Sequence, residues 1–140
     1  MKILVAVDGS AFTKRMLAYL AAHDEWLGPQ HDYTVLHAVP RVPPRAAAVI
    51  DKAVLKGYYA EEAEKVFKPV RSFLAKQAIP ATFVSRIGAP ADILIQAAQP
   101  GAFDLILMGS HGHGSLGKLL LGSVTNKVIA QTKIPVLLIR

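Results

Sequence analysis

The chain has no cysteine among its 140 residues, which removes disulfides, thiolate zinc sites, iron–sulfur clusters and thiol catalysis together. No apolar stretch approaches the roughly 18 residues that suggest a membrane span. The opening Met-Lys is followed at once by Ile-Leu-Val-Ala-Val and Asp8, too short an apolar run for a secretory signal. A cytoplasmic protein with no membrane partner is the expectation. Aromatic residues are few, 7% of the chain, and are not interleaved with basic ones as a nucleic-acid stacking groove requires, so nucleic acid is not an expected partner. Enzyme patterns are missing as well: there is no G-x-S-x-G elbow, no nucleophile and base at a recognisable spacing, and no poised carboxylate pair in the second half. These absences argue against a dedicated enzyme.

Acidic residues are scarce in one region. Residues 1–70 hold nine Lys/Arg against eight Asp/Glu, residues 71–140 hold seven against two, and none follows Asp104. Such a field either keeps the protein soluble or attracts an anion to the second half.

At 52% apolar residues the chain can bury one core without covalent staples, and one domain over residues 1–140 is expected. Five apolar, β-branched runs read as strands: Lys2 to Val7, Asp32 to Val39, Ala81 to Ile87, Phe103 to Met108 and Ile134 to Ile139. Leu105-Ile106-Leu107-Met108 and Val136-Leu137-Leu138-Ile139 are apolar on both faces, as in a parallel sheet covered on each side. Between them lie helix-like stretches: Ala11 to Leu27, stopped by Gly28-Pro29; Ala46 to Gln77, interrupted at Gly57 and expected to bend or break near Pro69; Pro90 to Ala98; and Ser123 to Thr132. Arg41 to Tyr59 is the best candidate for mobile structure. The alternation predicts an open α/β fold.

The segment from Gly109 to Thr125 is rich in glycine and joins a strand-like run to a helix-like one. Glycines let backbone approach a ligand closely, and the first turn of the next helix offers unpaired N–H groups to an anion. Gly112-His113-Gly114-Ser115-Leu116-Gly117 is literally G-x-G-x-x-G. A dinucleotide reading fails because the run follows the fourth strand and no acid stands about 20 residues on. A P-loop fails because Ser115 stands where its lysine belongs. His111 and His113 are too few for a metal site and are read as lining a phosphate cradle. His37 reads as a packed or edge histidine. Asp8, where a strand runs into Gly9-Ser10, would otherwise cap the helix beginning near Ala11.

Gly109, Gly112 and Gly122-Ser123 resemble the nucleotide-binding pattern of the universal stress protein family: Gly, two residues, Gly, nine residues, then Gly with Ser or Thr. Lys2 to Ser10, Val35 to Val39 and Pro135 to Ile139 resemble that family's first, second and last strands. The resemblance implies an open five-stranded parallel sheet of order 3-2-1-4-5, Rossmann-like, with helices on both faces. That order places a topological switch between strands 1 and 4, where such sheets bind ligands. It also implies ATP as ligand, with any Mg²⁺ carried on the phosphates rather than by protein ligands. By the same resemblance Asp8 contacts base or sugar, Ala38 and Val39 contact adenine, and the strand ends Val7 and Met108 lie beside them. Gly109, His111, Gly112, Gly122, Ser123, Val124 and Thr125 then surround the phosphates, with Ser123 at the helix cap and the Ser123 and Thr125 hydroxyls bonded to phosphate. A homodimer through Pro135 to Ile139 is implied too, and an apolar edge strand favours pairing. Two other readings remain: a nucleotide-free interaction module on the same fold, and a slow ATPase or autophosphorylating protein with Ser123 or Thr125 as acceptor.

Overall fold

The computed structural model describes residues 1–114 and 120–140. Five strands, β1 (Lys2–Ala6), β2 (Asp32–Val39), β3 (Ala81–Ile87), β4 (Leu105–Gly109) and β5 (Val136–Ile139), form one parallel sheet of order β3-β2-β1-β4-β5. The expected order is the observed one. Ile3, Leu4 and Val5 of the central strand are sealed from solvent, as a strand buried on both faces requires.

The helices are α1 (Ala11–Ala22), α2 (Asp24–Leu27), α3 (Pro44–Ala47), α4 (Lys52–Lys76), α5 (Pro90–Ala97) and α6 (Ser123–Gln131). They cover the two faces separately. One core joins Ile3, Val5, Val35 and Leu107 of the sheet to Met16, Leu20, Phe67, Val70 and Leu74 of α1 and α4. The other joins Leu4, Leu36, Ile106 and Met108 to Ile93 and Leu94 of α5 and Val128 of α6. Strand β5 serves both: Leu137 and Ile139 face the first core, Val136 and Leu138 the second.

Two helical expectations are corrected. The run from Ala11 to Leu27 is not one helix, because His23 diverts its hydrogen bonds. Its ring stacks on Tyr19 with centroids 4.0 Å apart, and its Nδ1 donates to the Tyr19 carbonyl at 2.8 Å, the acceptor its own backbone N–H would use in a continuing helix. That N–H turns instead to Leu20. A side chain competing for a backbone acceptor ends the helix. Conversely, α4 runs unbroken through Gly57 and Pro69. Pro69 lies on the exposed face, where water can satisfy the carbonyl it leaves unpaired, while Ala63, Phe67, Val70 and Leu74 hold the other face in the core. Burial outweighs the one lost bond. Arg41 to Tyr59 contains α3 and the first turns of α4; these residues are mostly exposed and are tied by the Val42 N–H to the Tyr59 hydroxyl at 3.0 Å.

Strand ends also shift. Phe103 and Asp104 precede β4, since Asp104 is occupied with Lys2: its carboxylate accepts the Lys2 N–H at 2.7 Å and its own N–H donates to the Lys2 carbonyl at 2.8 Å. β1 stops at Ala6 because the Val7 carbonyl is taken by the His37 ring.

Candidate functional site

β1 lies between β2 and β4, so chain crossovers leave its two sides in opposite directions and a crevice opens at the carboxyl ends of the strands. Here it is a cleft of about 540 Å³. Val7 and Asp8 leave β1 into it, Ala38 and Val39 end β2 beside it, and Met108 and Gly109 end β4 across from them. His111, Gly112, Gly122, Ser123, Val124 and Thr125 complete the lining on the β4–α6 side. Residues far apart in sequence and named from the motif thus meet in one cavity. Ser115, Leu116 and Gly117, which complete the G-x-G-x-x-G run and mark the departure from a P-loop, lie outside the described residues.

Asp8 is not the helix cap. The α1 cap position is Ser10, and the Asp8 carboxylate instead folds over the turn: Oδ1 accepts from the Ser10 N–H and the Thr13 hydroxyl, each at 2.9 Å. Burial works against its charge, but the donors of Ser10 and Thr13, helped by nearby His113, outweigh that cost and hold the carboxyl below its ordinary value. It therefore stands ionised at neutral pH, an acceptor for hydroxyl or amine donors that repels phosphate. Its other oxygen faces the glycine loop. A Cβ on Gly112 would come within 2.5 Å of Oδ2.

The remaining motif glycines also answer to packing. A Cβ on Gly109 would meet Phe12 Cβ at 2.7 Å, and one on Gly122 would press against His111 Cα at 3.2 Å. Gly122 is itself the α6 cap, in an extended conformation open to any residue, which corrects the placement of Ser123 at the cap. Ser123 opens the helix. Among the described residues, the N–H groups of Ser123, Val124 and Thr125 find no acceptor, as first-turn amides cannot within their own helix. They supply three donors and the positive end of a helix dipole to the cleft.

Thr125 departs from expectation. Its side chain is buried, and its hydroxyl donates to the carbonyls of Gly109 (3.2 Å) and Ser110 (3.1 Å). A phosphate oxygen also needs a donor, and this hydrogen is committed to backbone. Thr125 thus offers the cleft its N–H, while its hydroxyl braces the loop. The histidines serve the loop as well: His113 Nε2 donates to the Asp8 carbonyl at 2.8 Å, and the Ser110 hydroxyl lies 2.9 Å from His111 Nδ1. His111 packs at 5.1 Å from the Phe12 ring. No group of three potential metal ligands occurs among the described residues.

Sequence reasoning missed two walls. Glu62, Lys65 and Val66 of α4 close the cleft on one side and Pro90, Ile93 and Leu94 of α5 on the other. Lys65 is paired with Glu62 at 2.7 Å. Their helical spacing marks them as neighbours, but nothing in it tells which turn of a 25-residue helix overlies the strand ends.

The universal stress protein family model matches residues 1–140, and the chain belongs to that family. It is 36% identical over 138 residues to a universal stress protein of Thermus aquaticus, covering 99% of this chain and 97% of that one. Among solved structures, the universal stress protein MJ0577 of Methanocaldococcus jannaschii is similar with TM-score 0.79 and 28% identity, over 99% of this chain and 94% of that one. A family protein from Arabidopsis thaliana, solved with AMP bound, shares the fold at TM-score 0.68 and 14% identity, over 99% and 90% of the two chains. No helix among the described residues is long and apolar enough to cross a membrane.

Proposed function

We propose that the cleft binds an adenine nucleotide, ATP, and that the protein acts in the cytoplasm through nucleotide-dependent conformation or association. The observation that carries this reading is the meeting, in one cavity, of an ionised acceptor at Asp8 with three unpaired amides at the start of α6. The first suits ribose hydroxyls or an amine, the second a phosphate chain. A fold neighbour with AMP bound supports the same ligand class. Any Mg²⁺ belongs on the phosphates, since no group of three potential metal ligands occurs among the described residues. Association is assigned to β5: its side chains are shared between two cores, so the backbone edge is what asks for a partner, and a two-fold axis would pair it with its own copy. Calorimetric titration with ATP tests the ligand. Asp8→Ala should weaken ATP and adenosine alike, by about 1.5–3 kcal/mol for one charge-assisted hydrogen bond.

One observation favours a nucleotide-free interaction module instead. Gly109, Gly112 and Gly122 each have a packing reason that involves no ligand. Wild-type protein that shows no heat with ATP, and no nucleotide on acid release and mass spectrometry, would decide for that reading.

A further inference from the structure

The stretch from Arg41 to Tyr58, between β2 and the buried part of α4, carries apolar side chains and cations that nothing in the fold uses. Val49 is the most exposed large apolar side chain among the described residues, at 85%, and Val54 (64%) and Tyr58 (45%) stand out with it. Val54 and Tyr58 lie four apart in α4 and so share one face of it. Lys52 and Lys56 share another face by the same spacing. With Arg41 and Arg45 they make four exposed cations, none of which is in an ion pair among the described residues. The one acid in the stretch, Asp51, is engaged as the α4 cap and accepts the Ala53 N–H at 2.8 Å. The near balance of charge over residues 1–70 conceals this local excess.

This end of α4 stands clear of the body. The helix fully buries its first side chain only at Ala63, and Lys52, Ala53, Val54, Lys56, Gly57 and Tyr58 are exposed around it. A second copy of the chain does not suit such a surface, since a two-fold axis would set cations against cations. A protein partner finds projecting tips where anchoring needs a pocket. A bilayer with anionic headgroups suits both features: its charge meets the cations, and projecting apolar tips enter its interface without a matched shape.

We propose that residues 41–58 dock the protein on an anionic membrane surface, with Val49, Val54 and Tyr58 in the interface and Arg41, Arg45, Lys52 and Lys56 among the headgroups. Lying on a bilayer differs from crossing one, so the lack of a membrane-spanning helix among the described residues does not bear on it, and the expectation of no membrane partner drawn from apolar run length is set aside. None of these seven residues lines the cleft, so exchanging them tests docking apart from nucleotide binding.

The test is co-sedimentation of the whole chain with vesicles of phosphatidylcholine alone and of phosphatidylcholine mixed with phosphatidylglycerol, at physiological ionic strength. Wild type should bind the mixed vesicles and leave the neutral ones. Lys52→Gln with Lys56→Gln should weaken binding about thirty-fold, at about five-fold per cation. Val54→Gln with Tyr58→Gln leaves the charge unchanged and should weaken binding about ten-fold or more through lost apolar burial. All four positions are exposed, so circular dichroism and the urea midpoint of both variants should match wild type. Full binding by Val54→Gln with Tyr58→Gln would reduce the effect to overall positive charge and overturn the docking surface. A wild type that ignores anionic vesicles would overturn it too, and if that protein binds polyglutamate instead, the surface belongs to an acidic protein partner.

Discussion

Replacing Thr125 by valine separates bracing of the loop from contact with a ligand. The two side chains are nearly isosteric, so the exchange removes one hydroxyl from a position 2% exposed and leaves the cavity filled. Two carbonyls lie within reach of that hydroxyl, Gly109 at 3.2 Å and Ser110 at 3.1 Å. Ser110 keeps a second donor, the Gly122 N–H at 2.9 Å, so the loss amounts to one buried acceptor shared between them. An unsatisfied buried group costs about 1–3 kcal/mol; with one carbonyl still served, about 1–2 kcal/mol is expected. Over 140 residues an unfolding entropy of about 2.1 cal/mol/K per residue converts this to a melting point lower by about 3–7 °C. Urea denaturation should show the midpoint falling with an unchanged slope. ATP affinity of the folded variant should stay within about three-fold of wild type, since the hydroxyl gives the phosphates nothing. Full stability with lost ATP binding would refute the reasoning and return the hydroxyl to the ligand.

Gly112→Ala should cost about 1–3 kcal/mol in chemical denaturation, because the new methyl displaces an Asp8 carboxylate held by Ser10 and Thr13; Gly57→Ala, in open space on an exposed helix face, should instead stabilise by about 0.5–1 kcal/mol. The folded-state pKa of Asp8 is depressed, so its contribution is present at neutral pH and lost as pH falls through the ordinary carboxylate range toward that lowered value. Urea midpoints measured from pH 7 to pH 3 should therefore fall less steeply in Asp8→Asn than in wild type, and parallel curves would contradict the assignment. Leu138→Pro removes a donor from the middle of β5, and sedimentation equilibrium should show a dimer for wild type and a monomer for the variant; a wild type that is monomeric at micromolar concentration rules the β5 interface out.

A parallel sheet covered on both sides could be read in advance because the runs Leu105 to Met108 and Val136 to Ile139 are apolar on both faces, a pattern that helices on one side alone would not produce; the strand order followed from the family resemblance. The lining of the cleft could be read because the strand ends and the glycine spacing that carry the family resemblance lie at fixed places in the chain order. What escaped was set by side-chain geometry across space. Nothing in Ala11 to Leu27 shows that the His23 ring will take the Tyr19 carbonyl from its own backbone. Pro69 looks like a break until it is known to face solvent while Phe67 and Val70 face the core. Thr125 carries the same hydroxyl whether it turns to phosphate or to carbonyl, and only the position of Ser110 decides. The contribution of α4 to the cleft was hidden for the same reason, since the register of a long helix against a sheet is a tertiary quantity.

The sheet is a partition between two cores, and the cleft is a place where both sides are exposed to the same visitor. Val66 brings the α4 layer to it, Ile93 and Leu94 bring the α5 layer, and Ser123 to Thr125 bring the start of α6. Any molecule seated there acts as mortar between layers that the sheet separates. At a hundred times its dissociation constant it would add about 2.7 kcal/mol to stability by mass action. Because it touches both layers, hydrogen exchange should slow in α4 and α6 together rather than in one, so that occupancy of a small cavity is felt as stiffness on two opposite faces of the molecule.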